Sequence, residues 1–116
     1  MLRNGLYNSR LHVTTTTGGA ARVLNMMEDY LQTEWPELNV WLTSTTEQWS
    51  TIALNGPNAA KLLSPLVKGL ELSDETFPHM SYAEGTVCGV PARVFRMSFT
   101  GEAGYEINVP ADYGRQ

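Results

Sequence analysis

Ser98-Phe99-Thr100-Gly101-Glu102-Ala103-Gly104-Tyr105-Glu106-Ile107-Asn108-Val109-Pro110 is the stretch on which the fold turns. A Thr-Gly-Glu turn leads through Ala103-Gly104 into a strand over 105–109. There Tyr105, Ile107 and Val109 alternate with Glu106 and Asn108, which puts the apolar three on one face and Glu106 on the other. Glu102 leaves the turn. Two carboxylates therefore flank glycines that let backbone approach another group closely.

Upstream, 81–87 and 91–98 predict a hairpin around Cys88-Gly89. Further back, 38–43 and 48–54 predict two strands joined by the polar turn Ser44-Thr45-Thr46-Glu47. Asn55-Gly56-Pro57 stops the second of them and opens a helix over 58–63, because proline suits the first helical position. The stretch 68–79 is polar and irregular. At the N-terminal end, 6–16 is rich in β-branched residues and predicts a strand, from Leu11 onward, which Gly18-Gly19 breaks. Val23, Leu24, Met27, Tyr30, Leu31 and Trp35 then recur at three- and four-residue spacing. That spacing predicts an amphipathic helix from Ala20, capped by Thr17 and closed before Pro36.

Strand, helix, strand pair, helix and further strands make an α+β order. The arrangement expected is a mixed, mainly antiparallel sheet with two helices on one face, a ferredoxin-like core plus a β-ribbon. With 116 residues the chain has room for one small domain, and its ends have the look of cuts through a larger one. A 42 % hydrophobic and 17 % charged composition argues against disorder. The net charge of −4, with scattered basic residues, argues against nucleic-acid binding. No run approaches the ~20 apolar residues of a spanning helix, and no signal peptide opens the chain, so neither membrane nor export is expected. Cys88 is alone, which fits a cytoplasmic setting.

From the residues alone, Glu102 and Glu106 are either a solvated turn carboxylate and an exposed strand carboxylate, or ligands for a paired N–H edge. Arg96 either neutralises one of them or covers apolar surface. His12 and His79 lie far apart with no partner at metal-ligand spacing. Cys88 reads as a small turn residue, and Trp35, Trp41 and Trp49 as core or domain-interface residues. His12-Val13-Thr14-Thr15-Thr16-Thr17-Gly18-Gly19 matches neither dinucleotide nor Walker spacing.

The run Arg93-Val94-Phe95-Arg96-Met97-Ser98-Phe99-Thr100-Gly101-Glu102, continued to Glu106, resembles the signature of the aminomethyltransferase (glycine cleavage T-protein) family. Ile52-Ala53-Leu54-Asn55-Gly56-Pro57-Asn58-Ala59-Ala60 is similar to a second family piece, a strand ending in a Gly-Pro turn before a helix of small residues. The run 12–21 and Leu31-Gln32-Thr33-Glu34-Trp35-Pro36 resemble the branch of that family found in sarcosine oxidase alpha subunits.

This resemblance implies the middle part of a folate-binding domain. Tetrahydrofolate would bind at Glu106, Glu102, Arg96 and Tyr105, with Glu106 the main pterin ligand because a strand holds it more rigidly than a turn. It implies a parent that oxidises sarcosine with flavin (FAD, FMN) and NAD held elsewhere, among other alpha-subunit domains and further subunits. The family's catalytic aspartate falls outside these residues, so the segment alone is expected to be inactive. Phe99 stands where the T-protein pattern has Tyr, which weakens a pure T-protein reading.

Overall fold

The computed structural model describes residues 2–3 and 10–115. The chain divides into two compact units, Met1–Thr45 and Thr46–Gln116. In the first unit β1 (Leu2–Arg3) pairs antiparallel with β2 (Leu11–His12). The strand expected over 6–16 is thus two residues long where it is described, and its 6–9 portion lies outside the described residues.

A 3-10 turn at Thr17–Gly19 leads into α1 (Ala20–Thr33). Thr17 therefore opens that turn and does not cap the helix; Gly19 takes the cap position, with no side-chain bond. The predicted stripe is visible as half-buried Val23, Leu24, Met27 and Leu31. Tyr30 and Trp35 extend it and meet edge to face at 5.6 Å. The strand expected over 38–43 is absent; this stretch is irregular, with Leu38 and Val40 each 49 % exposed and Trp41 90 % exposed. β-propensity without a ladder partner leaves backbone groups to water and does not make a strand.

The second unit carries β3 (Trp49–Asn55), α2 (Ala59–Leu63), β4 (Val67–Lys68), β5 (Tyr82–Val87), β6 (Val90–Phe95) and β7 (Gly104–Pro110). They form one five-stranded sheet in the order β3-β7-β6-β5-β4, antiparallel at every junction. The chain crosses from β3 through α2 to β4 at the far edge, then returns strand by strand until β7 lies beside β3. A five-stranded antiparallel sheet with two helices is the α+β class that the residue periods predicted. Among the described residues no helix is long and apolar enough to cross a membrane.

The β5–β6 hairpin closes through Cys88 (φ 50°) and Gly89 (φ 81°), both left-handed as a two-residue turn of the I′ type requires. That turn sets the pairing Val87↔Val90, Glu84↔Arg93 and Tyr82↔Phe95. One sheet face carries Leu54, Ala83, Val90, Ala92, Val94, Tyr105, Ile107 and Val109, and it packs with Ala59 and Leu63 of α2 and with Phe77. Val94 is fully buried at its centre. Burying a side chain of this size contributes about 1.5–3 kcal/mol, so these ten or so residues supply the drive for the unit.

Candidate functional site

The two sequence pieces quoted above lie about fifty residues apart in the chain. In the fold they are neighbours. Asn55 pairs with Gly104, Leu54 with Tyr105 and Ala53 with Glu106, and the Gly56 N–H donates to the Ala103 carbonyl at 2.8 Å. Gly104 is where the close approach takes place: a Cβ there would stand 2.2 Å from Asn55 Oδ1 and 3.0 Å from Ser98 Cβ. Gly101, at φ 80°, turns the preceding loop. Thr100 N–H donates to Ser98 Oγ at 3.2 Å and braces it.

The four candidate side chains separate into two places. Tyr105 is buried on the helix face, stacked on Phe77 with ring centroids 6.2 Å apart. Arg96 lies above the other part of this assembly, its guanidinium 6.0 Å from the Tyr105 ring centre. Its Nη1 donates to the Phe77 carbonyl at 2.6 Å and its Nη2 pairs with Asp74. Arg96 is therefore bonded to neither Glu102 nor Glu106; it ties the irregular 69–80 loop to the end of β6. A cleft of about 340 Å³ sits here, lined by His79, Arg96, Ser98, Gly101, Glu102, Ala103 and Gly104. Glu102 is exposed at its rim.

Glu106 is on the opposite face, as period two demands. It stands between Ala53 of β3 and Phe95 of β6 in the ladder, and Tyr82 continues the row beyond Phe95. Phe95 is buried and stacks on Tyr82 at 5.7 Å. Glu106 itself is half-buried, and among the described residues no hydrogen bond or ion pair engages its carboxylate. A carboxylate held on a central strand beside an aromatic floor, with its lone pairs unspent, can accept a paired N–H edge from a flat ligand.

The neighbouring row on this face was not singled out from the sequence. Arg93 Nε bonds Glu84 Oε1 at 3.1 Å, and its guanidinium lies 4.4 Å from the centre of the Trp49 ring. Thr51 Oγ1 donates to Asn108 Oδ1 at 2.5 Å. The signal was present: a two-residue hairpin at 88–89 makes Glu84 and Arg93 partners, and period two puts them on the Glu106 face. Among the described residues there is no group of three or more His, Cys, Asp or Glu arranged so that it could hold a metal ion.

Known proteins match this chain closely. Residues 4–116 match the GCVT N-terminal domain. The chain is 47 % identical over 110 residues to a sarcosine oxidase subunit alpha of Corynebacterium sp. (strain P-1), covering 94 % of this chain and 11 % of that protein. It is 41 % identical over 111 residues to the subunit alpha of Rhizobium meliloti (strain 1021), covering 94 % and 11 %. An aminomethyltransferase of Rubrobacter xylanophilus is 39 % identical over 71 residues, covering 61 % and 18 %. The chain thus spans about a tenth of the length of the alpha subunits that it matches. With the strand–turn–helix piece and the Thr-Gly-Glu piece brought side by side on β3 and β7, the chain belongs to the GCVT N-terminal domain family.

Proposed function

We propose that the chain is a segment of a sarcosine oxidase alpha subunit, in a domain that binds tetrahydrofolate. The observation that carries this reading is Glu106. Its carboxylate has no partner among the described residues, and it projects from a central strand on the face that carries the Phe95–Tyr82 stack. A reduced pterin offers its ring N3–H and 2-amino N–H side by side, which suits a two-point, charge-assisted acceptor. Glu102, Arg96 and Tyr105 have supporting roles in this reading. Arg96 holds the 69–80 loop to the end of β6 beside Tyr105, and Glu102 lines the cleft that Arg96 borders.

In the intact protein sarcosine is oxidatively demethylated to glycine, and its one-carbon unit leaves as 5,10-methylenetetrahydrofolate. Flavin supplies the two-electron oxidation and, with NAD, belongs to regions outside these residues; no residue here is assigned to either. The parent's other domains and subunits are its partners. Higher identity over nearly the whole chain favours the oxidase over a glycine-cleavage aminomethyltransferase as parent. A non-catalytic scaffold of the same fold is the remaining alternative.

The test is made in the intact parent protein. Glu106→Gln keeps the volume but sets an amide donor against a pterin donor, so folate affinity should fall by about 10- to 150-fold, the equivalent of about 1.5–3 kcal/mol for charged hydrogen bonds. Sarcosine turnover without folate should continue and release free formaldehyde. Glu102→Gln should act less, since a rim carboxylate is easily hydrated. Unchanged affinity in the Glu106 variant would reduce this stretch to a structural turn.

A further inference from the structure

The two edges of the five-stranded sheet are unlike. β4 is two residues long and carries Lys68, a short and charged edge of the kind that resists further pairing. The other edge, β3, runs for seven residues as Trp49-Ser50-Thr51-Ile52-Ala53-Leu54-Asn55, with no charge and no proline. Its register with β7 is unbroken from Trp49↔Pro110 to Asn55↔Gly104, so no bulge twists it away.

Parity tells which groups face outward. The Gly56 N–H bonds the Ala103 carbonyl, and this pair continues the register. In an antiparallel ladder bonded pairs alternate, so Leu54 and Ile52 direct their N–H and C=O groups at β7, while Ala53 and Thr51 direct theirs away. Among the described residues Thr51 and Ala53 have no backbone partner on that side, and both are exposed. Ile52 belongs to the helix face by register, yet it is 47 % exposed. The core face thus stops short at this edge, with an apolar side chain and a row of unpaired amides next to each other.

We propose that the outer edge of β3 is a pairing surface, completed by a strand that the same longer polypeptide supplies from outside these residues. The length of the relatives argues for this occupant over a second copy: the matched region is a small fraction of their chains, so a strand in cis is at hand at high effective concentration. The edge specifies the chemistry of the strand. It must be extended and uncharged where it faces Thr51 and Ala53, with an aliphatic side chain beside Ile52. This inference holds for an oxidase or an aminomethyltransferase parent alike, and does not depend on folate binding.

Residue-resolved amide hydrogen exchange on the full-length parent protein tests it. Thr51 and Ala53 should exchange as slowly as Ile52 and Leu54, to within about tenfold, and independently of protein concentration. Exchange at Thr51 and Ala53 about hundredfold or more faster than at their neighbours would overturn the proposal. Protection that disappears on dilution would also overturn it, since it would assign the edge to a second copy. As a second readout, Ala53→Pro should lower the parent's melting temperature well below that of Ala53→Gly, because only proline lacks the outward N–H. Equal melting temperatures would mean a free edge.

Discussion

Gly104→Ala adds one methyl group at the entry to β7, and the structure gives both terms of its effect. The residue is buried and its φ is outside the left-handed region, so alanine has no backbone objection here. By restricting the unfolded chain it would even add about 0.4–1 kcal/mol of stability. Against this, the new Cβ would lie 2.2 Å from Asn55 Oδ1, 3.2 Å from Asn55 Cγ and 3.0 Å from Ser98 Cβ. Asn55 can swing its exposed amide aside, but Ser98 Cβ moves only with its backbone. Overpacking of this kind costs about 1–3 kcal/mol, so a net loss of about 1–2 kcal/mol is expected. Urea unfolding followed by circular dichroism should read it, as should a fall in melting temperature of about 4–8 °C per kcal/mol for a domain of this size. In an Asn55→Ala background the largest overlap is gone, and the penalty should shrink by about 1 kcal/mol. A Gly104→Ala protein as stable as the parent chain would refute the argument. So would an equal penalty with and without Asn55.

Three further outcomes are expected. The isolated 116-residue chain should bind tetrahydrofolate more weakly than micromolar in calorimetry, because a partial pocket leaves much of a ligand solvated; tighter binding would show that these residues alone make a complete folate site. Leu63→Ala should destabilise the chain by about 3–4 kcal/mol in chemical denaturation, since Leu63 is only 1 % exposed between α2 and the sheet. Cys88→Asn should raise the melting temperature, by the equivalent of about 0.5 kcal/mol, because asparagine tolerates the left-handed φ of 50° at that turn better than cysteine does.

The elements that were legible in advance are those whose determinants are local. The stripe of α1, the hairpin centred on Cys88-Gly89 and the alternation of β7 follow from side-chain period and turn chemistry, which act over a few residues. The face of Glu106 follows too, since period two admits no other placement opposite Tyr105, Ile107 and Val109. Failure came where a local preference found no partner. Residues 38–43 have strand-like composition but no ladder to join, and Thr17 has a capping side chain but a 3-10 turn intervenes.

What only the tertiary structure decided is which separated pieces meet. Nothing within either piece dictates that Asn55 lies against Gly104, or that Arg96 reaches Asp74 and Phe77 and, among the described residues, leaves Glu102 and Glu106 without a cation. Those choices depend on strand order, which minimises exposed apolar area and unpaired backbone over the whole sheet at once. The amino-acid order thus determined the elements and the face of each side chain. The sheet decided the neighbours, and with them the separation of the Glu106 face from the Arg96 cleft.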